Sequence, residues 1–437
     1  MIPYPHAVSL RACNLITPTL QVSLVAMLAE LNVYEDVFQN CLTGSVILVD
    51  GQGLPDCLPL CGEEYVYVEW TVPISATRIQ QLFRVVRLTD RTYPTEEFTR
   101  YTLHLAAVEM VSDVTQRLSM GFQNQPVSTM AQTILQTQFP GSIKLAGLDL
   151  EPTTTPTDVL VGQMSPLQAM NLMASRAESA DGTIANWLFW ENLTGWHFRS
   201  LSSLFGQTPV TRLSTVYGNL TDPDPLAAFR HTESLAQQTG FDVLRNLASG
   251  FYANRTILHD IIRGGYVQSD TNYLEDFGTR PHTVTGGASA YPLCRPAQQT
   301  VLNPQTSQML IPANSLATQD ALLTSQDPSM RATHVDRIME HRVRQLLEIR
   351  QRVSLVTVPG HPDLQAGVMV DLQYPTPRYR VGQDSTSQTA YQKQSDPFLS
   401  GPHVVLAVRH ILTAQDGHFD YRCVAETSRD CLGTPLP

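Results

Sequence analysis

Apolar and polar side chains alternate with a period of two along much of the first hundred or so residues. The clearest case is 63–71, EEYVYVEWT, where Val66, Val68 and Trp70 make an apolar face and Tyr65, Tyr67 and Glu69 an amphipathic one. Successive strand side chains point to opposite faces, so this period predicts a strand with one side on a core and the other wetter. Thr43–Asp50 is an apolar, β-branched run closed by Asp50-Gly51-Gln52-Gly53. Further strands are predicted over 79–88 and 98–111, and Asp90-Arg91-Thr92-Tyr93-Pro94 between them carries turn chemistry. The apolar run in 20–38 fits a buried strand or a helix, because Val22, Val25, Leu28 and Leu31 also suit a helical face. Four or five antiparallel strands in so short a span predict a small barrel or sandwich.

The texture changes at Ser112. Pro126 opens a predicted helix through Thr137, 141–156 is a Thr/Pro-rich connector, and Ser165-Pro166 caps a second helix that Asp181-Gly182 stops. A hairpin follows, 186–191 and 196–201, turning at Asn192-Leu193-Thr194-Gly195. After a Pro-rich joint at 221–225, strand texture returns at 226–237, and a short helix at 241–248 ends at Ser249-Gly250. Residues 253–263 and 266–277 flank Gly264-Gly265, a two-residue hairpin signal. Residues 278–329 have little periodicity and read as a long surface excursion. The strongest helical pattern is 331–352, with Arg342, Arg344, Arg350 and Arg352 suiting the negative end of its dipole. Strands at 353–358, 367–374, 403–412 and 419–426 close the chain, with a polar loop at 375–397 between the two pairs.

The fold class expected is therefore α+β, mainly β. Its parts are 1–111, a first β-barrel; 112–204, an inserted α+β domain; 205–277, the start of a second β-barrel; 278–329, the excursion; and 330–437, a helix and strands completing the second β region.

With 437 residues, 42% hydrophobic and only 16% charged, the chain is long enough for several cores and too apolar for disorder. A net charge of −11 argues against a basic nucleic-acid surface. Of the 29 basic residues only Lys144 and Lys393 are lysines; arginine suits ordered polar interfaces, although compositional bias explains the excess equally well. The N-terminus lacks a secretory pattern, and no apolar run has the ~20 residues that span a bilayer. The 7 cysteines are scattered without a Cys-x-x-Cys pair and read as reduced thiols.

Reactive constellations are hard to find. No Gly-x-Ser-x-Gly follows a strand. His403 and His410 lie seven positions apart on one predicted strand, hence on opposite faces, and with His418 make a poor metal set. Glu63-Glu64 and Glu96-Glu97 are adjacent carboxylates on opposite faces, which suits solvated strand edges better than a glycosidase pair. His259-Asp260 reads as an exposed or interfacial pair, and Gly286-Gly287 lacks the helix and Lys-Ser/Thr of a phosphate cradle. Trp187, Phe189, Trp190, Trp196 and Phe198 make either a sugar-binding patch or, the preferred reading, core under the second helix. No catalytic residue, cofactor or metal is expected.

Four stretches resemble the baseplate hub proteins of contractile-tailed bacteriophages. They are Val33-Tyr34-Glu35-Asp36-Val37-Phe38 with Thr43-Gly44 and Leu58-Pro59-Leu60-Cys61-Gly62-Glu63-Glu64; NWLFWENLTGWHFRSLSSL at 186–204; FDVLRNLASGFYANRTILHDI at 241–261; and LSGPHVVLAVRHIL…FDYRCVAETSRD within 399–430. The resemblance implies two tail-tube-like barrels per chain and a homotrimeric ring joining a sixfold tail tube protein to a threefold central spike protein in the virion. Tape-measure and baseplate wedge proteins are further implied neighbours, and DNA passes through the channel without specific binding. Tyr34, Asp36, Phe38, Tyr65, Tyr67 and Glu69 are the candidate interface residues. Alternatives are the hub of a bacterial contractile injection system, whose chains generally continue into a spike where this one stops at Pro437, or a tail-associated glycan-binding or peptidoglycan-degrading protein.

Overall fold

The computed structural model describes residues 4–58, 60–73, 75, 77–180, 182–214, 227–260, 265–284, 289–294, 307–313, 335–374, 396–415 and 417–436. The 221–225 joint, Gly264, Gly286-Gly287, 331–334, 375–395 and much of the 278–329 excursion therefore lie outside the described residues.

The N-terminal strands are β1 (Ala7–Ile16), β2 (Gln21–Ser23), β3 (Leu28–Asp36), β4 (Thr43–Asp50), β5 (Tyr65–Thr71), β6 (Arg78–Thr92) and β7 (Thr99–Ala107), with a one-turn helix α1 (Leu54–Cys57) between β4 and β5. The ambiguous 20–38 run is thus strand, in two pieces. Residues 108–111 depart from expectation: they begin helix α2 (Val108–Thr115). Strand β1 has no counterpart in the sequence reading, because a bulge between Leu10 and Ala12 breaks its period of two.

The insert contains β8 (Leu118–Pro126), α3 (Val127–Gln138), β9 (Asp149–Leu150), β10 (Pro156–Met164), α4 (Pro166–Arg176), the aromatic hairpin β11 (Trp187–Asn192) and β12 (Gly195–Ser200), and α5 (Leu201–Phe205). Pro126 is the N-cap of α3 rather than its first residue. Helix α4 ends at Arg176, before Gly182, and opens with a capping box between Ser165 and Gln168.

After β13 (Thr211–Ser214), a 3-10 turn at Ala227–Arg230 precedes a short β14 (Ser234–Gln237), where a longer strand was expected. Next come α6 (Val243–Ala248), the hairpin β15 (Ala253–Asp260) and β16 (Gly265–Asn272), and α7 (Tyr273–Phe277), so 273–277 is helical rather than strand. Part of the expected excursion is ordered: β17 (Ser307–Ala313) pairs in parallel with β15, and His282, Thr283 and Cys294 are buried. Helix α8 (Val335–Glu348), β18 (Val353–Pro359), β19 (Met369–Gln373), β20 (Gly401–Gln415) and β21 (His418–Ser428) complete the chain.

The pairings close two barrels on one hairpin. In the first, β3-β4-β7-β6-β5-β1 runs from β20 round to β21. In the second, β19 and β13 follow β20 while β18 and β14 follow β21, and a bridge between Ser214 and His231 joins the two ends. Strands β20 and β21 serve both: Ala407–Thr413 pair with β3 and Gly401–Val404 with β19, while Phe419–Asp420 pair with β1 and Arg422–Ser428 with β18. Closure satisfies the strand edges that an open sheet would expose. One apolar core runs through both barrels, from Cys13, Val68 and Trp70 to Val356, Val370 and Leu372. The insert has its own core of α3, α4 and the aromatic hairpin.

Candidate functional site: the barrel faces and the buried polar nodes

The six candidate interface residues do not meet. On β5 the apolar set Val66, Val68 and Trp70 is fully buried, so Tyr65, Tyr67 and Glu69 face outward. There the Tyr67 hydroxyl donates to Glu69 Oε2 at 2.8 Å, Gln80 Nε2 donates to Tyr67 at 2.7 Å, and Arg78 pairs with Glu69 at 2.7 Å. The Arg78 guanidinium, helped by Tyr67, holds the Glu69 carboxyl at about 2. Arg84 lies over the Tyr65 ring and donates Nε–H to Gly62 O at 2.8 Å.

Tyr34 and Asp36 sit elsewhere, beside the shared hairpin. Across the strands Asp36 pairs with Ala407, Ala407 with Glu426, and Glu426 with Leu355, so this rung crosses from the first barrel to the second. It forms the floor of an open depression of about 410 Å³ that Tyr34, Arg409 and Val424 also line. Burial raises both carboxyls in it, Asp36 and Glu426. Phe38 lies just past the end of β3 under Arg350, whose guanidinium is 4.1 Å from the ring centre.

Glu35, between Tyr34 and Asp36, points inward and is a node that the sequence reading did not single out. Its Oε1 accepts the N–H of Leu193 at 2.9 Å, from the turn of the aromatic hairpin. Its Oε2 accepts the N–H of Ala366 at 2.6 Å, from the loop before β19. His410 Nε2 faces Glu35 at 3.4 Å, and its Nδ1 is 2.8 Å from the Tyr421 hydroxyl and 3.4 Å from Cys423 Sγ. Burial alone would depress His410, but Cys423 and Glu35 lift it to about 10.

His403 and His410 are both buried, not on opposite faces, because a bulge between Val405 and Ala407 shifts the register by one residue. They still do not converge. Burial pushes His403 down to about 3 beside Gly401 and Tyr374, and His418 is exposed. Glu64 also departs from the solvated-edge expectation: it is buried and accepts the N–H groups of Cys61 and Gly62, while Glu63, Glu96 and Glu97 are exposed. The side chains of His259 and Asp260 lie outside the described residues.

His282, Asp430 and Cys431 cluster in the space a metal would need, yet the imidazole has no lone pair to give. His282 Nε2 donates to Phe277 O at 2.6 Å and Nδ1 to Asp430 Oδ2 at 2.7 Å, while Thr283 donates N–H and O–H to the other Asp430 oxygen. Burial opposes charge on both groups, but their pairing raises His282 and lowers Asp430 to about 2. The cluster is a buried ion pair tying the C-terminal segment to 277–283.

The aromatic hairpin is core on both faces. Trp187, Phe189, Trp196 and Phe198 pack with α3 and α4, while Trp190 faces the barrels and donates Nε1–H to Ala366 O at 3.2 Å. The arginines of 331–352 do not serve the helix dipole, since α8 ends at Glu348. Instead Arg342 Nη1 donates to the carbonyls of Ala174, Ala185 and Trp187, and Arg344 pairs with Asp276. All 7 cysteines are free, with Cys57 and Cys61 exposed.

No protein-family model and no curated protein matches the chain. Among solved structures it is similar to the 43 kDa tail protein of prophage MuSo2 from Shewanella oneidensis, with TM-score 0.56 at 9% identity over 96% of this chain and 98% of that one. It is also similar to a tail protein from Neisseria meningitidis, with TM-score 0.51 at 10% identity over 98% and 97%. The chain has the fold of a phage tail protein. At such identity the likeness speaks for the architecture, and both ends of that architecture are matched.

Proposed function

We propose that this protein is the structural hub of a phage contractile-tail baseplate. Three copies form a ring that joins the sixfold tail tube to the threefold central spike, in the virion tail, after assembly in the host cytoplasm. DNA leaves through the ring without sequence-specific contacts, and the chain performs no catalysis.

The observation that carries this reading is the pair of barrels fused on one hairpin. A chain that holds two similar units offers six of them in a trimer, the number a sixfold tube needs, while the chain itself repeats three times. The net charge of −11 is consistent with passage of a polyanion, which the assembly repels. The tail-protein fold at both listed TM-scores above 0.5 supports the same reading.

Light scattering on the purified protein tests self-assembly. The expected molar mass at high concentration is three times 48.5 kDa. A monomer at every concentration would count against a ring that closes by itself.

A further inference from the structure

A ring built from two-barrel chains needs two unlike surfaces per copy, one at each end of the barrel pair, because head-to-tail contact is heterologous. The shared hairpin fixes where these ends are. In the first barrel β6 is four strands removed from β20, and in the second β13 and β14 lie opposite the hairpin.

At the first end β6 exposes apolar side chains. Leu82 is 42% exposed and Val86 49%, the latter thrown outward by the bulge between Val85 and Arg87. Tyr65 and Tyr67 adjoin them on β5, with Arg84 held in place by Gly62 O and the Tyr65 ring. Tyrosine, arginine and aliphatic side chains in one patch are the composition of a protein interface.

At the second end the outer surface of β13 and β19 is hollow. A depression of about 570 Å³ is lined by Pro209, Val210, Thr211 and Pro402, with Arg212 and Asp371 paired across it at 3.3 Å. Val210 is 46% exposed. The charges in the wall neutralise one another, which leaves an apolar recess that suits an aliphatic ridge.

We propose that the β6 ridge of one copy, Leu82 and Val86, seats in the β13–β19 hollow of a second copy of this chain. This assignment rests on the ring reading above and adds to it the two surfaces that close the ring. It also gives Tyr65 and Tyr67 a role at the rim, and leaves Tyr34 and Asp36 outside the contact between copies.

Cross-linking tests it. In a Cys57→Ser, Cys61→Ser background, which removes the exposed thiols, Leu82→Cys and Val210→Cys are introduced together and treated with a short bis-maleimide. Covalent dimers and trimers are expected from the double variant and not from either single one. A second variant, Val86→Asp, sits at an exposed position; it is expected to keep the wild-type circular dichroism and melting temperature and to weaken self-association at least tenfold. A wild-type trimer by light scattering, with no cross-link and an unaltered Val86→Asp trimer, would overturn the assignment and leave the ring intact. A chain that stays monomeric throughout would overturn both.

Discussion

Lys144 sits in a nearly closed site between Glu109 at 2.6 Å and Glu191 at 2.5 Å, and Glu191 also accepts the N–H of Leu42. One lysine thus ties the insert to the first barrel. Burial opposes its charge, but the two carboxylates raise its pKa. Removing one partner of a buried pair strands the other charges, so Lys144→Met is expected to cost about 3–5 kcal/mol in urea unfolding. The His282–Asp430 pair predicts a pH window. Asp430 is lowered to about 2, so its contribution is present above its ordinary value near ~4 and lost as pH falls through about 2. His282 is raised, so its contribution is present below about 6.5 and lost as pH rises through its folded value. The stability advantage of wild type over Asp430→Asn should therefore peak between about pH 4 and 6.5. An advantage that is flat from pH 2 to 9 would refute the ion-pair assignment. None of this was legible in the sequence, where Glu35, Lys144 and Asp430 look like ordinary surface residues.

Elements whose signal is local were readable. The alternation of 63–71 became β5 with Trp70 inward, Thr43–Asp50 became β4 unchanged, and Ser165-Pro166 does open α4. Ser165 also donates O–H to Asp113, whose other oxygen accepts the N–H of Leu167, so this cap joins α4 to α2. Ser165→Ala should lower stability by about 1–2 kcal/mol in thermal unfolding, the upper end of the range for a lost cap. What was not readable depends on partners distant in sequence. Bulges in β1 and β20 hide their period of two, and the polar ribbon of β8 and β10 has no apolar stripe to show. The arginines of α8 bond to carbonyls more than 150 residues away, which no helical pattern encodes.

At the scale of the whole molecule, strand texture at both ends of the sequence foretold two β regions but not how they join. The chain ends complete one another: the N-terminal strands need β20 and β21 to close their barrel, and the same two strands begin the second. Glu35 reinforces that joint by holding the insert and the second barrel to the first. A rigid two-barrel unit is what a tube-to-spike adaptor requires, since each copy must hold two contact sites at fixed separation. The most direct test is an electron cryo-microscopy map of the tail baseplate that contains this protein. The account predicts three copies around the tail axis, with six barrels ringing a channel below the tube. One copy, six copies or a peripheral position would contradict it.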